Sequence, residues 1–313
     1  MIKTITISDA REFLETLRLS HPIWGNTLPG NTDWVTRETW GFRGQSNANW
    51  SLIPTAFREP TMLGFRPSSA SPTKTSYSQQ EQERRALIDF LFFADRIGLE
   101  VPGDGPHLRY PTLPGHTPKP EIDAWPWEVI FETLAVAQHH GVPTRLLDFT
   151  FDPWVAAFFA CYDAWNDLGR PNYREKLNDD RKIAVWAVSL PLIYSSVGHS
   201  SKLNQPARII LVTAPRAKNS YLHSQEGYFM VDLDADRMGY PPMEDAISDV
   251  QNYMIRQGYS EFQSDQIIKV ELSWNLTPEV LALLWFEFYN IAKMQPTLDK
   301  AVEALRDHRA LFG

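Results

Sequence analysis

Residues 138–150, Gln-His-His-Gly-Val-Pro-Thr-Arg-Leu-Leu-Asp-Phe-Thr, place two imidazoles, a guanidinium, a carboxylate and two hydroxyls in one short stretch. An apolar run follows at once, Asp152-Pro153-Trp154-Val155-Ala156-Ala157-Phe158-Phe159-Ala160-Cys161. Polar groups this dense beside an apolar wall are suited to ligand chemistry. A guanidinium forks onto an anion, and an imidazole changes charge near neutral pH. Zinc is not indicated, because neither a His-x-x-x-His spacing nor a cysteine partner accompanies the two histidines. An earlier stretch, Trp40-Gly41-Phe42-Arg43-Gly44-Gln45, carries a second guanidinium between glycines that allow close approach by a neighbouring backbone or a ligand.

The elements that must position these groups follow from residue type. Residues 127–140 carry Ile130, Leu134 and Ala137 at helical spacing, and Gly141 with Pro143 stands where that helix should stop. Thr144 to Phe149 then reads as a short strand. Alternation puts Arg145 and Leu147 on one face and Leu146, Asp148 and Thr150 on the other. Asp152 before Pro153 is a cap followed by proline at the first helical position, and the helix beyond is apolar nearly all round, so it is buried. Neighbouring residues on a helix diverge by about 100°, so His139 and His140 cannot both serve one site. His140 is expected in the site and His139 at the surface or in packing. Arg43 is open to two readings, an anion-binding fork or an ion pair with Asp148 that clamps the fold, and the same duality holds for Arg145 and Asp148.

Elsewhere, Thr4–Ile7 reads as a strand and Ser8 as the cap of a helix reaching Leu19. Residues 60–80 read as a surface loop, 81–98 as a helix, and 101–126, rich in proline, as either a lid or a surface insertion. A polar linker is expected over 166–180. Further strands are expected at 183–188, 208–212, 227–231 and 267–274, with helices at 243–254, from Thr277 through Ala292, and along Leu298, Val302 and Leu305. The expected fold is α+β, a single domain over 1–313 with a central mixed sheet and helices at both ends. Within it, 38–235 forms the motif core, 1–20 an N-terminal strand and helix, and 242–313 a C-terminal helical part.

Composition narrows the function classes. The chain of 313 residues is 43% hydrophobic and 12% aromatic, enough to bury a sizeable core. One cysteine, Cys161, excludes internal disulfides and fits a reducing cytoplasm. No stretch is long and apolar enough to span a bilayer, so no membrane role is expected. A formal charge of −8 argues against a non-specific nucleic-acid coat. Walker, Rossmann and Gly-x-Ser-x-Gly patterns are absent from the sequence, which disfavours a kinase, a dehydrogenase or a serine hydrolase.

Three segments carry a resemblance. Phe42-Arg43-Gly44-Gln45, the string from His140 to Thr150, and Gln225-Glu226-Gly227-Tyr228-Phe229 resemble the signature of the FRG domain, a bacterial family. The ending Gln295-Pro296-Thr297-Leu298-Asp299 is similar to that family's final helix start, without its Phe. The order of these segments also resembles ADP-ribosyltransferases, which implies an ADP-ribosyltransferase-like fold with NAD as co-substrate and no metal. That likeness maps the catalytic roles onto Arg43 and onto Gln225 or Glu226. It implies cofactor contacts from Arg43, Gly44, Gln45, His140, Thr144, Arg145, Asp148 and Thr150. Where those enzymes have Ser-Thr-Ser, this chain has Asp148-Phe149-Thr150. The implied acceptor is a macromolecule, RNA or protein, in a toxin or antiviral effector with an inhibitory partner protein. Arg58, Arg84, Arg85, Arg181, Lys182, Arg216 and Lys218 are candidates for a local basic track toward RNA. An NAD glycohydrolase and a non-catalytic nucleotide- or partner-binding module are the alternatives.

Overall fold

The computed structural model describes residues 2–25, 39–58, 78–105, 125–126, 130–168, 180–213 and 226–313. Seven strands form one mixed sheet, so the strands expected from hydrophobic patterning join as anticipated. They are β1 (Ile2–Ile7), β2 (Trp40–Gln45), β3 (Leu147–Thr150), β4 (Lys182–Ser189), β5 (Ile209–Val212), β6 (Gly227–Asp232) and β7 (Ile267–Ser273). The spatial order is β1-β7-β4-β2-β3-β6-β5. β1 runs parallel to β7, and the other neighbours are antiparallel. The first strand of the chain thus finishes the sheet beside the last.

β4 shows why helices cover both faces. Ile183, Val185 and Ala187 point into one core and Ala184, Trp186 and Val188 into the other, and all six are buried. A central strand buried on both sides needs this unbroken apolar run. The first core is closed by α1 (Ala10–Leu17), α4 (Pro153–Leu168) and α8 (Thr277–Phe286). The second is closed by α5 (Leu190–Lys202) and α7 (Met243–Arg256). A third cluster packs α2 (Gln79–Arg96) and α3 (Phe131–His139) against Val212, Phe229 and Val231. Short α6 (Ala235–Met238) and α9 (Ile291–Met294) precede the last helix, α10 (Leu298–Phe312).

Several boundaries differ from expectation for local reasons. Asp9, not Ser8, caps α1, its Oδ1 accepting from the amides of Arg11 and Glu12 at 2.9 Å. The strand expected from Thr144 begins only at Leu147, because the Thr144 hydroxyl accepts from Leu146 N at 3.1 Å and donates to the Gln138 side chain. The helix expected to run from Thr277 through Ala292 stops at Phe286. Phe288 adopts φ +63°, and Asn290 caps α9 by accepting from Lys293 N at 3.1 Å. Most of the 60–80 and 101–126 loops lies outside the described residues, as does 169–179. No described helix is long and apolar enough to cross a membrane.

Candidate functional site: a gap in the central sheet

β2 pairs with β4 along six residues, from Trp40↔Ser189 to Gln45↔Ala184. With its other neighbour, β3, it keeps a single register pair, Phe42↔Thr150. Beyond that pair the two strands part, and a cavity of about 310 Å³ opens between them. Phe42, Arg43 and Gly44 line it from one strand and Asp148, Phe149 and Thr150 from the other. Gly227, Tyr228 and Phe229 of β6, Ala156, Phe159 and Asp163 of α4, and His139 and Gln295 complete the wall.

Arg43 spans the gap. Its Nη1 donates to the backbone carbonyl of Asp148 at 2.8 Å and stands 3.5 Å from Oδ2 of the same residue. One side-chain arm thereby satisfies a carbonyl that a continuous ladder would have bonded. Its Nε is buried without a hydrogen-bond partner. A desolvated guanidinium N–H left unmatched is costly, so it marks a place where an acceptor oxygen would be stabilised. Arg58, whose Nε donates to Ile53 O at 2.8 Å, stands near enough to matter electrostatically. Burial and the like charge of Arg43 lower its pKa, while Asp148 raises it. Two guanidiniums thus act electrostatically on the one Asp148 carboxylate.

The deeper wall is acidic and aromatic. Asp163 lies seven residues beyond Ala156 and four beyond Phe159, so the three share one face of α4. By surface area Asp163 counts as exposed, yet it stands in a concavity where protein walls displace bulk water. That desolvation, reinforced by Asp167 and opposed by Arg43, pushes its carboxyl up to about 6.

The expected residues divide. Arg43, Gly44, Asp148 and Thr150 meet at the cavity. Gly44 serves packing first, because a Cβ there would fall 2.0 Å from the carbonyl oxygen of Ala156, so α4 sits directly on the β2 backbone. Gly41 does the same for Tyr228, whose hydroxyl oxygen would be 1.6 Å from an added Cβ. Of the two readings open for these glycines, a neighbour fills both positions.

Gln45 turns away from the gap, where its amide donates to Ser51 O at 3.2 Å and accepts from Trp186 Nε1 at 2.8 Å. Thr144 is consumed by the turn described above. Arg145 is sealed at 1% exposure. Its Nε and Nη2 fork onto Glu83 at 2.8 and 3.0 Å, Nη1 donates to Asp236 at 2.8 Å, and the ring of Phe57 lies 5.6 Å away. Glu83 also accepts from Trp125 Nε1 and Gln79 Nε2, so α2, α6 and the turn before β3 share one network. Those carboxylates hold the guanidinium charged despite burial. The clamp reading is therefore the one the geometry supports for Arg145.

The histidines exchange places relative to expectation. His139 lines the cavity, while the ring of His140 stacks 6.2 Å from Phe90. Burial and the neighbouring His140 lower the His139 pKa, with Asp148 opposing. Glu226 adopts φ +47° and lines a second, more open concavity of about 480 Å³ with Arg18, Asp152 and Trp154. It is thus not among the residues around the first cavity. Gln225 lies outside the described residues. Several residues named for the basic track have partners within the chain. Arg181 lies 3.5 Å over Trp274, and Lys182 and Arg85 pair with Glu271 and Glu81. Arg216 and Lys218 lie outside the described residues. No group of three or more potential metal ligands occurs among the described residues.

The segment that builds α3, the turn, β3 and α4 is also the one with a recognisable relative. Residues 113–167 match the FRG domain. The FRG match takes in His139, Asp148, Thr150, Phe159 and Asp163, which line the cavity, and the sealed Arg145. It does not reach Phe42, Arg43 and Gly44 or residues 227–229, which line the same cavity. Neither the curated proteins nor the solved structures yielded a match to the chain.

Sequence reasoning missed Asp163, His139, Phe159 and Gln295 as lining residues. Asp163 had a legible signal: it is the first acidic residue after Asp152 in an otherwise apolar helix. Reading that helix as apolar nearly all round obscured the one face on which a carboxylate interrupts the pattern.

Proposed function

We propose that the chain cleaves NAD at the bond between ribose and nicotinamide and transfers ADP-ribose to a macromolecular acceptor. The observation that carries this reading is the cavity at the split sheet, where Arg43, whose buried Nε lacks a partner, and Asp163 line one aromatic-walled space. In this reaction the C–N bond to nicotinamide breaks and its electron pair leaves with the nicotinamide. The ribosyl carbon passes through an oxocarbenium-like state, and an acceptor heteroatom then bonds to it and releases its proton. Such a pathway calls for a cation on the phosphates, a carboxylate near the developing positive charge and an apolar slot for the leaving ring.

Arg43 suits the first role, with Arg58 near enough to add to the positive field. Asp163 or Asp148 suits the second, and Phe159 with Tyr228 the third. This shifts the expected carboxylate from Glu226, which lines the neighbouring concavity, to a residue on α4 or β3. Thr150, which lines the cavity, would meet a ribose hydroxyl. The FRG match supports the family resemblance, while the reaction class is drawn from the separate likeness to ADP-ribosyltransferases. A bacterial toxin or antiviral effector restrained by an inhibitor protein is the context that resemblance implies.

Purified protein is to be incubated with NAD labelled in the adenylate, alone and with RNA or with a protein extract. Label appearing on RNA or protein supports transfer and identifies the acceptor class, whereas free ADP-ribose alone replaces transfer with hydrolysis. If NAD is neither consumed nor bound under any of these conditions, the cavity takes another ligand and the proposal falls. Asp163→Asn and Asp148→Asn, compared for turnover at equal NAD binding, decide which carboxylate serves the ribosyl cation.

A further inference from the structure

The last helix turns one stripe of apolar residues away from the core, while Ala304, Ala310 and Leu311 face it. α10 is held to the body by the opposite face, where Ala304 and Asp307 are buried and the Tyr162 hydroxyl lies 2.8 and 2.9 Å from Glu303 and Asp307. Leu298, Val302, Leu305 and Phe312 are all exposed, Leu298 at 88%. With Arg309 they follow a spacing of four, three, four and three residues. At 3.6 residues per turn that spacing draws one narrow stripe, centred opposite Ala304 and Asp307. Phe286 lies beside Phe312, with ring centroids 5.6 Å apart, and widens the stripe at its end. An exposed contiguous apolar surface of this kind marks an interaction site.

The stripe has the heptad form of a coiled-coil seam, with Val302 and Arg309 at the a positions and Leu298, Leu305 and Phe312 at d. The charges beside it say what it pairs with. Asp299 and Arg306 occupy successive e positions, while the g positions hold Ala301 and His308. A parallel copy would set e against g and leave both charges without an opposite partner. An antiparallel copy sets e against e, so that Asp299 of each chain faces Arg306 of the other on the two sides of a twofold axis. The surface is complementary to itself.

We propose that two copies of this chain associate through α10 in antiparallel register, forming a twofold-symmetric dimer. A helix of this length is about 22 Å long and offers an interface at the small end of specific contacts, so the dimer is reversible and dissociates on dilution. The proposal does not depend on the NAD reading.

The test is the mass in solution of the intact chain by sedimentation equilibrium over a concentration series, with the melting temperature of each variant as a fold control. The native chain is expected to approach twice its 35.9 kDa monomer mass as concentration rises. Leu305→Glu should remain monomeric with an unchanged melting temperature, since the residue is already exposed. Asp299→Arg and Arg306→Asp should each weaken the dimer, and the double exchange D299R/R306D should restore it. A native chain that stays monomeric at every concentration overturns the proposal. If Leu305→Glu also melts lower in that case, another part of the chain covers the stripe. A dimer that survives Leu305→Glu overturns the placement on α10. One that is lost in Leu305→Glu but not restored by the double exchange overturns the antiparallel pairing.

Discussion

Arg43 and Arg145 are both arginines of family-like strings, and the fold treats them in opposite ways. Arg145 is enclosed by Glu83, Asp236, the Trp125 carbonyl and the Phe57 ring, and each of its three guanidinium nitrogens has a partner. Arg43 satisfies a single carbonyl across a gap, keeps one nitrogen without a partner and borders an open cavity. Burying a charge is tolerated when its hydrogen bonds are complete, and Arg145 meets that condition by drawing α2 and α6 onto the turn before β3. An incompletely satisfied charge beside solvent-accessible space is instead a place for a ligand. Arg145 holds the surrounding structure together, and Arg43 lines the cavity.

Mutation should separate the two. Arg145→Ala leaves the buried Glu83 and the partly buried Asp236 without their counter-charge and is expected to cost about 3–5 kcal/mol of stability, read as a large fall in the denaturation midpoint. If stability barely changed, the clamp assignment would be wrong. Gly44→Ala drives a methyl into the Ala156 carbonyl and should cost about 1–3 kcal/mol as α4 is pushed off β2. The displaced helix carries Asp163, so ligand binding should weaken together with the melting temperature. Arg43→Ala removes a partly exposed pair and one hydrogen bond, worth about 1–2 kcal/mol. NAD turnover should nevertheless fall on the order of 10²-fold. Arg43→Ala protein that turned over NAD normally would remove the guanidinium from the proposed chemistry.

The smallest effect sharpens the same contrast through pH. Asp163 titrates near 6 in the folded protein against an ordinary value of 3.8. Because its folded value is raised, the stability it contributes is complete below about pH 4 and is lost as pH climbs through about 6. Asp163→Asn should flatten that decline and leave the variant more stable than the native chain at pH 7. Urea midpoints measured between pH 4 and 7 check this, and parallel native and variant curves would refute it.

Much of the fold was readable before any coordinates. The apolar alternation of β4, the Asp152-Pro153 start of α4 and the alternation that puts Asp148 and Thr150 on one face are local consequences of side-chain type. The cavity residues Arg43, Asp148 and Thr150 were found because unusual polar density is visible in a one-dimensional string. The split between β2 and β3 was not visible, since a one-residue pairing depends on where Phe42 and Thr150, distant in sequence, come to lie.

Residue types along the chain determined which groups are available: two guanidiniums, adjacent histidines and a carboxylate-bearing strand before a buried helix. Tertiary packing alone decided which guanidinium is sealed, which histidine reaches the cavity, and that Asp163 joins it while Glu226 lines the neighbouring concavity. The reason is that propensity and periodicity act over a few residues. Burial and hydrogen-bond completion depend on partners such as Glu83 and Asp236, which are distant in sequence and are brought close only by folding.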